Sequence, residues 1–438
     1  MTKKTEPCFL INGGKSLNGE LKVYAAKNAI TKQIIASMLS CEPSVFLNAP
    51  KSNEVFTLLN MLGEVGMKHE WEDNKLRVIT SSISNSDVSS VYSGVNRLPI
   101  LFVGPLVHRT GTASVPMVGG CDIGSRPIDF HINSLRRLGI TVVMDEKTLS
   151  FESRSIEGNR ILLPYPSVGA TENIIFSAIT AHGRTVLMNA AIEPEILDTI
   201  KFLRKMGAKI KVSLKKRTIY IDGIKKLKGV THTSIADRIE AASYGMLAVA
   251  TNGKIDIYGA DYKYLQPFLS YIEKIGGGIE IQKDRITFFR KLKKLRGIDI
   301  ETDVYPGFAT DWQPLLGVLL TQAQGISRIH ETVYENRLGY TDTLRSIGAD
   351  ITLTDECLGD KGCRFHKRFI HSCVISGPTL LKGTEMKIPD LRAGFAYVAA
   401  ALMAKGESRL SHIHYVERGY PNLVENLSLL GANISLIK

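Results

Sequence analysis

Met206-Gly207-Ala208-Lys209-Ile210 closes a run of helical periodicity with an apolar residue and a glycine, then resumes as a strand. Glycine suits a left-handed helix C-cap there, because it has no Cβ to penalise a positive φ. The same junction recurs at Gly66, Gly139, Gly276, Gly348 and Gly431, so that the six glycines stand 73, 68, 69, 72 and 83 residues apart. The unit around Gly207 shows the plan. Ala170–His182 is apolar at helical spacing and stops at Gly183, Thr185–Asn189 alternates as a strand, and Glu193-Pro194-Glu195 opens a second helix running to Met206. Lys209–Val212 and Thr218–Ile221 then pair as a hairpin around Lys215-Lys216-Arg217. Each unit is expected to read β-α-β-α-β-β, with two helices on one side of a four-stranded sheet. One unit cannot bury both layers, so units must pack against one another.

Six such units fill the 438 residues, a length at which single cores stop growing and chains divide. The expected class is α/β (α+β), with three units in each of two domains and the boundary near Lys226–Thr233. One domain would be 22–232, the other 1–21 plus 233–438. The strand Cys8–Asn12 precedes the first unit and the last unit ends at Ile437, so that strand is expected to complete the C-terminal domain's sheet.

Composition narrows the function. The chain carries 55 Lys+Arg against 43 Asp+Glu, a net charge of +12, which favours anionic partners. The basic residues are scattered and no basic stripe alternates with aromatics, so nucleic acid is not expected. Apolar runs such as Ala393–Ala404 stop at charges, here Lys405, well short of the roughly 18 residues a membrane span needs. The first residues lack the apolar core of a signal peptide, so a cytoplasmic location is expected. Six cysteines at irregular spacing do not read as a disulfide framework.

Every unit opens its first helix with polar residues: Lys27-Asn28, Asn96-Arg97, Thr171-Glu172, Asp237-Arg238, Thr310-Asp311 and Asp390-Leu391-Arg392. Asn, Asp and Thr there read as N-caps. Cations do not, since they oppose the helix dipole, so Lys27, Arg97, Arg238 and Arg392 suggest a shared anion site. Val115–His131 holds Gly119, Gly120 and Gly124 around Cys121. It reads as a mobile loop in which Arg126 and His131 favour a thiolate, while Asp129 caps the following helix or receives a ligand's hydrogen bond. Cys357, Cys363, His366, His371 and Cys373 match no paired C-x-x-C spacing, and Arg364, Lys367 and Arg368 crowd them, so no metal is expected. Nucleotide-binding glycine motifs and a G-x-S-x-G elbow are absent from the sequence.

Ala26-Lys27-Asn28-Ala29, Gly119–Pro127 and Asp390-Leu391-Arg392-Ala393, set in six such repeats, resemble the enolpyruvyl transferase family. Ser167-Val168-Gly169-Ala170-Thr171, Glu193-Pro194-Glu195-Ile196, Glu335-Asn336-Arg337 and Glu417-Arg418-Gly419-Tyr420 extend the resemblance from about Phe9 to Ile437. It implies a two-domain inside-out α/β barrel with the active site in the cleft and the Cys121 loop as a lid. It also implies transfer of the enolpyruvyl group of phosphoenolpyruvate to the 3-hydroxyl of UDP-N-acetylglucosamine, with release of phosphate, at the start of peptidoglycan synthesis. No cofactor is implied, and the expected state is a monomer or weak homo-oligomer. By the same resemblance Cys121 donates a proton and can form a covalent adduct, and Asp311 is the base. Lys27, Arg97, Arg126, Arg392 and Arg418 surround the anionic groups. Asn28, Pro127, Ile128, Asp129, Phe130, Ser167, Val168, Gly169, Val333 and Arg337 line the nucleotide-sugar site.

Some positions depart from that pattern. Tyr165-Pro166 stand where a lysine is usual, Tyr305 where histidine is common, Ala309 where proline is usual, and Tyr24-Ala25 where Ser-Gly is usual. These changes touch the diphosphate contacts, leaving open a divergent paralogue acting on another nucleotide or UDP-sugar. A non-catalytic UDP-sugar binder is the alternative of another class, although Cys121, Asp311 and Lys27 are all present.

Overall fold

The computed structural model describes residues 6–120, 123–124, 127–360, 365 and 368–437. Among them the strands form six sheets, five of four strands and one of three. The third unit shows the plan in full. Arg160–Leu162 lies parallel to Arg184–Met188, and Lys209–Ser213 with Thr218–Asp222 forms the antiparallel remainder. The helices Val168–Ala178 and Pro194–Met206 intervene. All six junction glycines have positive φ, between 85° and 114°. The periodicity thus reports real helix ends.

Two first strands come from elsewhere in the chain. Asn18–Lys22 runs parallel to Lys254–Tyr258 in the fourth unit's sheet, and Thr231–Thr233 runs parallel to Ser44–Leu47 in the first unit's. Cys8–Asn12 lies antiparallel between Glu407–Ser411 and Asn433–Ile437, placing Cys8 opposite Ile437 and completing the sixth sheet. In the second unit a single bridge, Asp87 to Ser114, stands where a first strand would pair.

The chain divides into two compact units, Ala25–Gly120 with Arg126–Ile235, and Met1–Tyr24 with Cys121–Ser125 and Ala236–Lys438. Each has its own apolar core, one holding Phe46, Phe102, Phe176 and Phe202, the other Tyr244, Phe288, Trp312 and Phe395. The first helix of a repeat is buried nearly all round: every residue of Arg238–Ala250 is buried, as is all of Leu391–Met403 except Met403. Such helices need no polar face. Together with Gln313–Leu320 they pack against one another, which leaves the second helices, such as Gln266–Ile275, to face solvent on one side. No helix among the described residues is long and apolar enough to cross a membrane.

Candidate active site

In the unit holding Ala236–Lys438, the N-terminal ends of the buried helices gather charge. Asp237 accepts from the amides of Ile239 and Glu240, and Asp390 from those of Arg392 and Ala393, so both aspartates cap their helices. Arg392 follows directly, buried, and donates to Asp311 Oδ2 at 3.4 Å. Arg337, also buried, donates to Asp311 Oδ1 at 3.2 Å and to the Thr310 carbonyl. Burial opposes the charge of both guanidiniums, but for each the Asp311 carboxylate leads the groups that outweigh it and hold the pKa above its ordinary value. Asp311 is thus a half-buried carboxylate fixed between two obligate cations.

Glu331 anchors the surrounding loop. It is fully buried, accepts from the Val333 and Tyr334 amides at 2.8 and 3.1 Å, and accepts from Thr310 Oγ1 at 3.0 Å. Burial raises its pKa, against the pull of Arg337 and these bonds. The Tyr420 hydroxyl hydrogen bonds to Ser243 at 2.8 Å and to Arg392, and burial pushes its pKa up to about 12. Arg418 is half-buried at the end of the helix His414–Glu417. Arg238 lies over the rings of Trp312 and Tyr305, 5.0 and 5.8 Å from their centroids, so the tyrosine that departs from the resemblance packs this cation. Ala309 starts the turn Thr310–Trp312, its carbonyl accepting from the Trp312 amide.

The Ala25–Ile235 unit arranges its own set. Lys27 and Asn28, half-buried, open the helix Lys27–Ser37 behind Ala26, which offers no side-chain cap. Asn96 Oδ1 accepts from the Leu98 amide beside half-buried Arg97. Ser167 caps Val168–Ala178 through the Ala170 amide, with the Tyr165 carbonyl accepting from the Ser167 amide at 2.7 Å. Val168, Pro127 and Asp129 are exposed, and Ile128 and Phe130 pack partly against the core. Gly169 sits against His131: a Cβ there would lie 3.2 Å from the imidazole. The structure therefore brings Arg97, His131, Gly169 and Asn173 together. Cys121 and Arg126 lie outside the described residues, while Ile123 and Gly124 belong with the other unit, where the Ile123 carbonyl accepts from the Asn336 amide at 3.1 Å.

Residues 11–427 match the family described as EPSP synthase (3-phosphoshikimate 1-carboxyvinyltransferase). The chain belongs to this enolpyruvyl transferase family. It is 46% identical over 439 residues to the UDP-N-acetylglucosamine 1-carboxyvinyltransferase of Protochlamydia amoebophila, covering 98% of this chain and 94% of that protein. It is also 46% identical over 426 residues to the enzyme of that name in Chlamydia pneumoniae, covering 96% and 93%. Among solved structures it resembles the enolpyruvyl transferase NikO of Streptomyces tendae, with a TM-score of 0.87, 23% identity and coverage of 98% and 99%. EPSP synthase of Acinetobacter baumannii follows at 0.77, 16% identity and coverage of 99% and 100%. At these identities the two structures speak for the fold alone.

With the family in hand, two sequence expectations need correction. His131 is not a cation beside Cys121. It is buried, accepts through Nδ1 from the Asn173 amide, and has its pKa pushed down to about 3 by burial and then by Arg97. Asp129 is not the cap: it is the first residue of the helix Asp129–Arg137, behind Ile128. Sequence reasoning also passed over Glu172 as a site residue. This buried carboxylate has no hydrogen-bond partner among the described residues, and its pKa is raised to about 7 by burial, with Lys32 opposing and Glu193 and Glu195 adding. A cavity of about 540 Å³ lies at the C-terminal ends of Arg238–Ala250 and Leu391–Met403, lined by Lys15, Arg290 and Lys293 among others. Its Arg290 caps the Val249 and Ala250 carbonyls, and none of the expected substrate residues lines it.

Proposed function

We propose that this enolpyruvyl transferase moves the enolpyruvyl group of phosphoenolpyruvate to the 3-hydroxyl of UDP-N-acetylglucosamine, releasing phosphate. The observation that carries the reading is the near-full-length identity to carboxyvinyltransferases of that name. The side chains supply matching chemistry. As the sugar oxygen adds to C2 of the enolpyruvyl group, its proton passes to Asp311 and C3 gains a proton from Cys121. The resulting tetrahedral ketal then loses phosphate as a C3 proton is withdrawn, restoring the double bond. Arg337 and Arg392, each bonded to one oxygen of Asp311, hold that carboxylate in place, so it acts as a positioned acceptor. Lys27, Arg97, Arg126, Arg392 and Arg418 balance the carboxylate and phosphate. In this reading the enzyme works in the cytoplasm at the first step of peptidoglycan synthesis, upstream of cell shape and division, and Cys121 makes it a fosfomycin target.

Phosphate release with UDP-N-acetylglucosamine, UDP-glucose, UMP and uridine as acceptors tests the assignment. UDP-N-acetylglucosamine should be the best acceptor; a preference for UMP or uridine overturns it in favour of the paralogue. For Cys121, Cys121→Ser should lose most turnover near neutral pH, because a hydroxyl is a far weaker acid than a thiol of pKa about 8.5. Cys121→Asp should remain active with an optimum at lower pH and resist fosfomycin. Mass spectrometry of the treated wild type should find the adduct on Cys121, and an adduct elsewhere removes it from the mechanism.

A further inference from the structure

One end of the fifth sheet gathers four side chains of metal-ligating type that the reaction does not use. Its strand order is Asp299–Glu301, Gly325–His330, Ser372–Gly377, Asp350–Thr354, and at one end each strand delivers one donor. Glu301 and His330 are paired in register, His371 immediately precedes the third strand, and Cys357 follows the fourth by three residues. The donor atoms of His330, Cys357 and His371 all lie within 4.8 Å of one another, and Cys357 Sγ is 3.4 Å from His371 Nε2. A tetrahedral zinc with bonds of about 2.0–2.1 Å to nitrogen and 2.3 Å to sulfur separates such a pair by about 3.6 Å.

The imidazoles are oriented as metal ligands are. His371 Nδ1 donates to the Phe369 carbonyl at 2.6 Å, which fixes the tautomer and turns the Nε2 lone pair toward the thiol. His330 Nδ1 bonds Ser372 Oγ at 2.9 Å. Its Nε2 is buried with no hydrogen-bond partner among the described residues, since Glu301 Oε1 at 3.9 Å is too distant to accept. A buried polar nitrogen aimed into a ring of donors calls for a ligand. Gly359 closes over the same point, where a Cβ would fall 2.6 Å from the His330 ring and closer still to Glu301. Cys357 is exposed and lies just beyond the end of its strand, at the solvent side of the set.

We propose that His330, Cys357 and His371 bind a zinc ion, with Glu301 or water as fourth ligand. The thiol loses its proton to solvent on binding, and the ion ties Cys357 to the ends of the neighbouring strands. Spacing hid the set. His330 lies far back in the chain, and Cys373, included when the cysteines and histidines are grouped by proximity in sequence, is fully buried in the apolar core. The site adjoins Glu331, whose carboxylate holds the Val333–Tyr334 turn, so zinc would steady that anchor without touching substrate.

Full-length protein freed of any histidine tag, stripped with a chelator and dialysed, should be titrated with Co²⁺. The expected result is a thiolate-to-cobalt charge-transfer absorption that saturates at one ion per chain and disappears when Zn²⁺ is added. Cys357→Ser should abolish the band and weaken Zn²⁺ binding at least tenfold, while retaining the circular dichroism spectrum and phosphate-release activity. Cys41→Ser, at an exposed cysteine elsewhere, should keep the band. No saturable band in the wild type, or the same band in Cys357→Ser, overturns the proposal.

Discussion

Asp311 owes its character to two side chains from distant parts of the sequence, Arg337 and Arg392, each buried and each bonded to one carboxylate oxygen. Asp311→Asn removes the proton acceptor and leaves two buried guanidiniums without their shared counter-charge. We expect phosphate release to fall by about 10²- to 10⁴-fold, with UDP-N-acetylglucosamine binding, followed by calorimetry, much less affected. Near-normal turnover would remove Asp311 from the chemistry. Glu172 makes a different prediction. Its folded pKa of about 7 exceeds the ordinary 4.5, so between those values the folded chain holds more protons than the unfolded one. Stability therefore falls as pH rises through that window. Glu172→Gln, neutral throughout, should escape this loss and be more stable than wild type above pH 7, by on the order of 3 kcal/mol. Denaturant melts across the window check it; parallel pH profiles would show that Glu172 does not titrate as stated.

At the scale of elements, what could be read from the chain depended on how local the constraint was. The junction glycines were legible because positive φ at a helix end is a property of a few consecutive residues. A second set was not. Gly158, Gly229, Gly297 and Gly383 each stand two residues before a first strand, and a Cβ would fall 2.6, 2.0, 2.5 and 2.2 Å from the carbonyls of Arg184, Pro43, Ile326 and Glu407. The chain passes so close that only glycine fits, and the obstructing carbonyl belongs to a distant segment. Candidate residues followed the same rule. Asp311 and Arg392 were found because they open helices, whereas the anchoring by Glu331 and the neutrality of His131 arise from tertiary burial. Gly297→Ala should therefore cost about 1–3 kcal/mol through forced backbone displacement. Gly207→Ala, with open space around its Cβ and φ at 112°, should cost nearer 1 kcal/mol from conformation alone. Urea melts of the two variants check the order, and the reverse order would show that the close approach relaxes cheaply.

For the whole molecule the repeat count was legible along the chain, but the strand exchanges follow from connectivity no single repeat encodes. Asn18–Lys22 joins the sheet of Lys254–Tyr258, and Thr231–Thr233 that of Ser44–Leu47, so each unit's first sheet is completed by a strand distant in sequence. Cys8–Asn12 occupies an interior place in the sixth sheet, bonded on both sides, with Phe9 and Ile11 in the same core as Phe395 and Leu410. The other core contains none of these residues. A variant lacking residues 1–13 should thus lose a central strand from one unit and nothing from the other. Hydrogen exchange followed by mass spectrometry should show protection falling in Glu407–Ser411 and Asn433–Ile437, while Arg184–Met188 and Thr218–Asp222 keep theirs. Because the amides of an interior strand's neighbours lose their acceptors together, the loss should extend along both flanking strands rather than fray from one end. Unchanged protection at Glu407–Ser411 would mean that the sixth sheet does not depend on its N-terminal strand. Equal loss in both units would mean that the two cores unfold as one.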